Sequence, residues 1–358
     1  MKLIKIELSN CRQYANIEVS FGPGVNIIYG NNAVGKSSIL EAIHYLITLR
    51  SSRNATDKEV MRIGTEETVL YGEFFDKNSK KNAIVLISKY FKKMSINDAV
   101  IKKASEYVGF ADVISFGTED VDVVSGSPLN RRKMMDLFLS QLDSLYMNRL
   151  REYKKILKER NVLLKNKGFA DKTNKILLEV LDNKLAQLSM ELTNNRKKII
   201  EEINESLFKI HNQLSGEKDK CLIQYVPSWN LDKGIEQLIV TRNKDFLFET
   251  TTIGPHRDDY VFYLEDRELS KYGSQGQKKI SMLSFKLACV ELLKHKKQRN
   301  PILLLDDVFG ELDTKRHNFL LKFLENDLQT IITTPSLREL EKDLVDKAHV
   351  IYLEKEEA

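Results

Sequence analysis

Apolar side chains near the N-terminus follow first a strand pattern and then a helix pattern. In KLIKIELSN, Ile4, Ile6 and Leu8 alternate with charged residues, which is the period of a half-buried strand. A second apolar stretch follows a Gly-Pro-Gly turn at residues 25–29, and an amphipathic helix begins near residue 36. The alternating runs TVLYGEFF and AIVLISKYF indicate antiparallel strands between about residues 66 and 116.

The middle of the chain is helical in pattern. Ser127 as N-cap and Pro128 as the first helical residue predict a helix start, and helical spacing then continues to about residue 166. A turn is expected at residues 165–168. After it, apolar residues recur in steps of three, four and seven, at Leu177, Leu181, Leu185, Leu188, Leu192, Ile199, Ile203, Leu207, Ile210 and Leu214. One helix of about 40 residues, roughly 60 Å long, would form an antiparallel hairpin with the preceding helix, and several shorter helices fit the pattern equally well.

Strand signals return after about residue 220. CLIQYV and DDYVFYLEDREL indicate strands, and a helix follows YGSQGQ. Then PILLLDDVF, QTIITT and AHVIYLE alternate with helical segments, the order typical of a parallel α/β sheet.

Composition and charge narrow the class of protein. No run of 18 apolar residues exists, so no transmembrane helix is expected. Three cysteines without a CxxC pair favour a reducing, cytoplasmic protein that lacks disulfides and zinc. Residues 149–200 contain 14 Lys/Arg and 6 Asp/Glu, a net charge of +8, whereas the whole chain carries +5. The positive field is therefore placed on this helical segment, where a basic stripe for nucleic acid and a solvated helix face are both open.

The segment from Gly30 to Ser37 matches G-x-x-x-x-G-K-[ST] at every fixed position. Glycines let backbone N–H groups turn towards phosphates, and the following helix presents its positive end to them. Lys36 would reach the β- and γ-phosphates, and the Ser37 hydroxyl would bind Mg²⁺. The residues expected to hold the nucleotide are Gly30, Asn31, Asn32, Ala33, Val34, Gly35, Lys36, Ser37 and Ser38.

The apolar run ILLLDD supplies the partner of this phosphate loop. Asp306 would hold Mg²⁺ at the end of a buried strand, and Asp307 would polarise the attacking water as general base. Lys36 and Asp307 are thus the catalytic candidates. The Asn-Lys-x-Asp motif that recognises guanine is absent, because the nearest match has Phe246 in place of the aspartate. We therefore expect ATP.

A second helix N-terminus that is suited to bind an anion occurs late in the chain, in YGSQGQKK. Ser274 and the Gly276 N–H could donate to a γ-phosphate, yet the chain already has a loop for its own nucleotide. This predicts that Ser274, Gln275, Gly276 and Gln277 contact the nucleotide of a second copy in a head-to-tail dimer.

The order of these motifs resembles that of ABC-type ATPases, with Ser274–Gln277 as the signature and Glu311-Leu312-Asp313 as the D-loop. Within that superfamily the chain is similar to SMC-like repair ATPases of the RecF family. The resemblance is carried by LSNCRQY, Ser52-Arg53, FGTEDVDVVSGSPLNRRKMMD, IGPHRDD, YGSQGQ and LLLDDVFGELD.

The resemblance implies an α/β fold: an ABC-type ATPase head with an antiparallel β portion and an inserted, mostly helical arm lobe. The expected division is head at 1–126, arm at 127–220 and head at 221–358. It further implies an ATP-dependent homodimer with weak ATPase activity that binds double-stranded DNA at gaps or junctions, acts with RecR and RecO, and helps load RecA. Replication, recombinational repair and the SOS response are the implied settings. Lys154, Lys155, Lys158, Lys165 and Lys167 are the candidate DNA contacts on the arm.

Departures from the family pattern define the open questions. Ala33 replaces a usual glycine and fits if its φ stays negative. Asp307 stands where ABC transporters carry glutamate, and Thr333 or Thr334 stands where they carry the switch histidine, so slow hydrolysis is expected.

Arg12 and Arg53 could touch the nucleotide or form surface ion pairs. His256-Arg257 is interpreted as structural, and Trp229 as a packing residue. The alternatives are an ATPase subunit of a transporter and a scaffold that binds ATP without hydrolysing it.

Overall fold

The computed structural model describes residues 1–76, 79–165, 172–216, 219–311, 313–324 and 327–354, and side chains are described in all of these except at 172, 173, 311 and 314. The strands within these ranges are β1 Lys2–Cys11, β2 Tyr14–Ser20, β3 Val25–Tyr29, β4 Glu67–Asp76, β5 Ser79–Ser88, β6 Lys92–Ile96, β7 Ala99–Ile101, β8 Val113–Gly117, β9 Cys221–Val226, β10 Asp259–Leu264, β11 Arg267–Glu268, β12 Ile302–Asp306, β13 Thr330–Thr334 and β14 His349–Tyr352.

The helices are α1 Lys36–Thr48, α2 Asp57–Val60, α3 Ala104–Tyr107, α4 Asp120–Ser125, α5 Pro128–Leu142, α6 Ser144–Lys165, α7 Lys172–Ser215, α8 Glu236–Leu247, α9 Leu269–Tyr272, α10 Gln275–Lys297, α11 Thr314–Leu324 and α12 Lys342–Lys347. Short 3₁₀ turns lie at Pro255–Arg257, Phe309–Glu311 and Leu337–Glu339.

Three sheets organise the strands. The parallel sheet has the order β14-β3-β13-β12-β8, and the antiparallel sheet has the order β2-β1-β4-β5-β6-β7. A small antiparallel sheet, β11-β10-β9, packs beside α7. The predicted α/β head with an antiparallel portion is therefore confirmed.

Alternate residues of the parallel strands face two hydrophobic cores. Ile27 of β3 and Leu303 of β12 belong to the core shared with the arm helices, whereas Ile28 and Leu304 belong to the core under the antiparallel sheet. Strands buried on both faces explain the continuous apolar run ILLL, as expected for a parallel sheet.

One detail of β1 differs from the predicted alternation. Leu3, Ile6 and Leu8 are buried, while Ile4 is only half-buried. The pairing of β1 with β4 shifts register between Leu3 and Lys5, so a bulge turns Ile4 off the core face.

The arm is an antiparallel helix hairpin. Helix α7 is a single helix of 44 residues, about 66 Å long, so the alternative of several shorter helices is not what forms. Ion pairs Arg149–Glu191 and Arg160–Asp182 join α6 and α7 in opposite chain directions. Leu177 was placed on the buried stripe wrongly: it is 44% exposed, and its neighbour Leu178 is buried. The predicted turn falls at residues 165–168, where only Lys165 lies within the described part of the chain.

The helix preceding the arm turn is broken in two. Ser127 is the N-cap of α5 with Pro128 in the first turn, as predicted, although the serine side chain makes no capping hydrogen bond. Helix α5 ends where Asp143 adopts an extended conformation, and α6 begins at Ser144. The break lets α5 pack on β10 while α6 continues along α7.

The predicted boundary between arm and head at residue 220 stays a prediction. Strand β9, just after it, packs on α7, and Cys221 and Ile223 share a hydrophobic core with Leu207 and Ile210. The small sheet thus serves as the base of the arm.

Candidate nucleotide site

The phosphate loop joins β3 to α1, and its glycines are required by the backbone. Gly30 and Gly35 have φ values of 156° and 98°. A Cβ on Gly30 would overlap the Leu353 carbonyl oxygen, and one on Gly35 would overlap the Tyr14 hydroxyl. The tight loop therefore follows from the glycine positions of the motif, which leave the N-terminus of α1 facing the loop.

Ala33 does not have the negative φ that would accommodate its side chain without strain. Its φ is 65°, in the left-handed region where a Cβ costs about 1–2 kcal/mol. Two contacts from the β1–β2 turn support the loop in this shape: Gln13 Nε2 donates to Ala33 O at 3.4 Å, and the Tyr14 hydroxyl donates to Val34 O at 2.8 Å. Alanine is accommodated here at the expense of backbone strain.

Lys36 spans the mouth of the loop. Its Nζ donates to Gly30 O at 2.8 Å and to Asn31 O at 3.0 Å. The side chain is buried, so the ammonium is held by the loop itself and points at the place where phosphate oxygens would replace the two carbonyls.

The acidic residue that ends β12 contacts the phosphate loop directly. The Ser37 hydroxyl donates to Asp306 Oδ1 at 2.7 Å, across 269 residues of sequence. Thr333 Oγ1, at the end of the neighbouring strand β13, donates to the same oxygen at 2.7 Å. The predicted pair of Ser37 and Asp306 is thus brought together, and the threonine at the switch-histidine position completes the cluster.

These oxygen ligands fit Mg²⁺, which binds through one or two carboxylates together with phosphate oxygens and water. In the described ranges no group of three or more His, Cys, Asp or Glu residues could hold a metal by itself. A metal bound by Ser37 and Asp306 would therefore depend on the nucleotide for further ligands.

Asp307 differs in environment from Asp306. Its φ is 51°, and its backbone N–H donates to Thr333 Oγ1 at 3.0 Å. Its Oδ1 is buried without a hydrogen-bond partner within the described ranges. Burial, followed by the neighbouring Asp306 charge, raises the pKa of Asp307 above its usual value. A carboxylate with an unbonded oxygen and a raised pKa is suited to accept a proton from water.

The two arginines singled out by sequence have different positions. Arg53 lies at the site, with its guanidinium 3.4 Å from Asp306 Oδ2 and 3.7 Å from Glu119 Oε1. Arg12 instead forms a two-pronged ion pair with Glu41 of α1, at 2.7 and 2.8 Å. Arg12 therefore forms an ion pair with a buried partner, and its contact with a nucleotide stays a prediction.

Sequence reasoning missed Gln13 and Tyr14 as supports of the loop. Both belong to the LSNCRQY block, which was used only as a mark of resemblance. The turn between β1 and β2 carries them onto the phosphate loop.

The late helix start has the geometry expected of an anion site. Ser274 is the N-cap of α10, and its Oγ accepts from Gln277 N at 3.2 Å, which leaves its hydroxyl hydrogen able to donate outwards. Gln277 Oε1 in turn accepts from Ser274 N at 2.9 Å, so this glutamine closes a capping box.

Gly276 is not required by the fold of one chain. A Cβ placed on it would come no nearer than 4.0 Å to another group, and its φ is not positive. Gln275 begins the helix beside it and is exposed. The absence of a side chain at Gly276 therefore points to an approach from outside the chain.

The D-loop is only partly described. Asp313 is exposed and caps α11 by accepting from Arg316 N at 3.0 Å. Leu312 lies outside the described residues, as does the side chain of Glu311. The role of this segment toward a partner stays a prediction.

Lysines of the arm remain candidate DNA contacts. Lys154, Lys155, Lys158 and Lys165 are all exposed on α6, whereas Lys167 lies outside the described residues. Arg160 and Arg196, which were counted in the basic segment, are instead fully buried in ion pairs with aspartates. The exposed positive charge that can contact DNA is therefore smaller than the net charge of residues 149–200 suggests.

The GPHRDD segment is joined to the arm helices by hydrogen bonds at the base of the arm, and Gly254, Pro255 and Asp258 of the segment are buried. Arg196 of α7 donates to Pro255 O and to Asp258 Oδ2, both at 2.7 Å, and to Asp136 Oδ1 at 2.8 Å. His256 sits between the Tyr153 hydroxyl and the Thr251 carbonyl. The geometry agrees with the structural interpretation of this motif, and Trp229 is likewise buried in the same core.

Comparisons with known proteins agree with this geometry. The family model of the RecF/RecN/SMC N-terminal domain matches residues 2–357. The protein named DNA replication and repair protein RecF from Agathobacter rectalis is 39% identical, with 98% of each sequence covered. The protein of the same name from Ligilactobacillus salivarius is 35% identical, over 99% of this chain and 96% of that one.

Solved structures give the same result. A structure described as the recombination mediator protein RecF with ATP in the RecFOR pathway superposes with a TM-score of 0.87 at 31% identity, covering 96% of this chain and 93% of that one. An SMC head domain from Pyrococcus furiosus superposes with a TM-score of 0.54 at 16% identity, over 99% of this chain and 94% of that one, and shares the fold. In the described ranges no helix is long and apolar enough to cross a membrane. The chain belongs to the RecF family of SMC-like, ABC-type ATPases.

Proposed function

We propose that this chain is an ATP-binding protein of DNA replication and repair that works as an ATP-dependent clamp on DNA. Its curated relatives are named DNA replication and repair proteins, and the similar solved structure contains ATP. The observation that carries the proposal is the convergence of Ser37, Asp306, Thr333 and Asp307 beside a complete phosphate loop.

The proposed ATPase activity follows from these side chains. Lys36 exchanges the carbonyls of Gly30 and Asn31 for phosphate oxygens, while Ser37 and Asp306 hold Mg²⁺. The metal, when bound, neutralises phosphate charge. Asp307 orients the attacking water and accepts its proton. Hydrolysis is slow because Asp307 is one methylene shorter than glutamate and Thr333, which carries no charge, replaces the switch histidine. ATP then acts as a switch.

A second copy completes each site. The Ser274 hydroxyl and the Gly276 N–H of one chain contact the γ-phosphate held by the other, and two ATP molecules are enclosed in a two-fold dimer. The open space around Gly276 supports this, because a γ-phosphate needs close access to the backbone there. Loss of the γ-phosphate removes the contact and opens the dimer.

DNA contact is mainly with phosphates, through exposed arm lysines such as Lys154 and Lys158. Double-stranded DNA with a gap or junction is the proposed substrate, and the compartment is the cytoplasm. RecR and RecO are proposed as partners, since the similar structure is named for the RecFOR pathway, and RecA loading is the proposed outcome. A transporter subunit is not favoured, because the similar proteins are named DNA replication and repair proteins.

Mixing two inactive variants tests the shared site. Lys36→Ala removes phosphate binding and Ser274→Ala removes the contact from the other chain. A mixture contains heterodimers with one intact site, so we expect ATP-dependent dimers in the mixture and few in either variant alone, measured by sedimentation velocity. Ser274→Ala should still bind a fluorescent ATP analogue. A mixture that behaves as the average of its components would contradict the head-to-tail arrangement.

A single-turnover assay separates a slow ATPase from a scaffold. Asp307→Asn keeps the size of the side chain and removes its basicity, so we expect at least a 100-fold slower release of phosphate with unchanged ATP binding. Equal rates for the native chain and the variant would exclude Asp307 as the base. No phosphate from either chain would favour the non-hydrolysing scaffold.

A further inference from the structure

The antiparallel sheet of the head carries a second basic segment. Residues 77–103 contain eight lysines and one aspartate, a net charge of +7 in 27 residues. The chain outside residues 149–200 carries a net charge of −3, which is +5 less +8, so acidic residues elsewhere offset this basic segment. It comprises β5, β6 and β7 with their connections, so the positive charge lies on one edge of the sheet.

Two aromatic side chains project from the turn between β5 and β6. Tyr90 is 92% exposed and Phe91 is 46% exposed. Tyr90 is the most exposed aromatic side chain among the described residues. An unpaired tyrosine ring in water inside a basic segment has no role in the core of this protein, so it is available for a ligand.

Hydrogen bonds fix the backbone of the turn that carries these rings. Ser88 Oγ accepts from Tyr90 N at 3.2 Å and from Phe91 N at 3.1 Å, while Ser88 N donates to Phe91 O at 2.9 Å. Lys93 Nζ lies 4.9 Å from the centre of the Phe91 ring. A hydrogen-bonded turn of this kind presents a ring with less entropy loss on binding than a loop whose backbone must first be ordered.

The lysines around the turn divide into structural and available ones. Lys92 is used by the fold, since it pairs with Asp57 at 2.9 Å and lies over the Tyr45 ring. Lys93 and Lys102 are exposed, and β6 pairs with β7 so that the two lie side by side. Neither forms an ion pair with a described carboxylate. Two unneutralised cations next to exposed rings match the phosphate and base of a nucleotide.

The turn lies at the end of the sheet that contacts the phosphate loop. Ser88 of β5 pairs with Glu67 of β4, and Val69 of β4 pairs with Ser9 of β1, which leads into the turn that holds the loop. Two strand spacings separate β5 from β1, about 10 Å. A strand bound at the turn would therefore lie close to the nucleotide site.

We propose that the β5–β6 turn is a binding site for single-stranded DNA, in which a base stacks on Tyr90 while Lys93 and Lys102 contact the adjoining phosphates. The inference rests on the proposed DNA-binding function and adds to it. The arm lysines contact duplex phosphates, and the turn recognises the unpaired strand, so the preferred substrate is a gap. Stacking on one ring tolerates any base sequence.

The test compares three DNA molecules with one set of variants. Fluorescence anisotropy with ATP measures binding to a 30-nucleotide oligo-dT, a blunt 30-base-pair duplex and a gapped duplex. Tyr90→Ala should weaken binding to oligo-dT by about 5- to 150-fold, the range for loss of one base-stacking contact, and leave blunt-duplex binding within twofold. Tyr90→Trp should restore oligo-dT binding. Phe248→Ala, which removes an aromatic side chain 59% exposed at the C-cap of α8, serves as the matched control and should change neither.

Each other outcome has a defined meaning. Native protein that binds duplex but not oligo-dT, or Tyr90→Ala that binds oligo-dT as the native chain does, overturns the inference and leaves the proposed function intact. Native protein that binds no DNA at all overturns the proposed function itself. Sedimentation velocity with ATP supplies the remaining check: if Tyr90→Ala fails to dimerise, the turn is a contact between subunits and the inference is wrong.

Discussion

Replacing Arg196 by methionine should destabilise the base of the arm strongly. The guanidinium is fully buried and donates to two aspartates, Asp136 and Asp258, at 2.8 and 2.7 Å. It also donates to Pro255 O at 2.7 Å and to the Tyr146 hydroxyl at 3.1 Å. Four segments, α5, α6, α7 and the GPHRDD turn, meet at this one side chain.

The magnitude follows from what remains after the change. Removing one partner of a buried ion pair costs about 3–5 kcal/mol, because the other charge stays buried. Asp258 keeps two donors, the Tyr225 hydroxyl and Ser228 N, and Asp136 keeps the Tyr146 hydroxyl at 2.6 Å. We therefore expect the lower half of that range, about 3–4 kcal/mol in the free energy of unfolding.

The single tryptophan provides the assay. Trp229 is buried in the same core and follows Ser228, so its fluorescence reports unfolding of the arm base during urea titration. At a slope of about 3 kcal/mol per molar urea, the midpoint should fall by about 1 M. Lys197→Met, at the exposed neighbouring position, should change stability by less than about 0.5 kcal/mol.

A double-mutant cycle shows whether the effect belongs to the ion pair. Asp258→Asn in the Arg196→Met background should cost less than it does in the native chain, since the aspartate has lost its main counter-charge. A loss below about 1 kcal/mol for Arg196→Met, or strict additivity of the two changes, would refute the reasoning.

Three further predictions concern the loop, the signature and pH. Ala33→Gly should relieve the left-handed strain and raise stability by up to about 1 kcal/mol, measured by urea unfolding with and without ATP; no gain would show that the unfolded-state entropy of glycine offsets the strain. Gly276→Ala should leave the stability of the single chain unchanged or slightly higher but reduce ATP-dependent dimerisation at least tenfold, and normal dimerisation would contradict a close phosphate contact. Burial lowers the pKa of His256 to about 4, so the unfolded chain binds a proton that the folded chain does not between pH 6.5 and 4; stability should fall as pH falls through that window, by at most about 1.4 kcal/mol per pH unit for this group, and His256→Gln should flatten the slope of unfolding free energy against pH.

Much of the site could be predicted from sequence because its chemistry fixes residue types at short spacing. The phosphate loop, the strand ending at Asp306 and the helix start at Ser274 are each set by neighbours along the chain. The meeting of Ser37 with Asp306 was predicted because such loops have a known partner strand. Helical structure over α7 was predicted because its apolar spacing is sustained over ten positions, but that spacing fitted one long helix and several shorter helices equally well.

Features set by distant contacts were not predictable in the same way. The loop at Ala33 and Val34 is contacted by Gln13 and Tyr14, 20 residues away in each case, and no local pattern indicates these contacts. Arg12 pairs with Glu41 across 29 residues, and no local pattern indicates that choice. At the start of α7, Leu177 and Leu178 are both apolar, and periodicity alone does not tell which one faces α6.

The break between α5 and α6 and the basic segment at residues 77–103 were not predicted for other reasons. Helical spacing continues through Asp143, so only the packing of α5 on β10 reveals the end of the helix. The lysines of residues 77–103 lie close together in the sequence, so their charge could be recognised there. The exposure of Tyr90 beside them is set by the fold and could not.

The central claim is that ATP couples two chains into a clamp on DNA. The most direct measurement is the affinity for a gapped duplex by fluorescence anisotropy, with ATP and with ADP, at 50 and 200 mM salt. The account predicts binding at least tenfold tighter with ATP, and a steep loss of affinity at the higher salt because the contacts are with phosphates. Equal affinity with ATP and ADP would contradict it, since DNA binding would then be independent of the nucleotide switch.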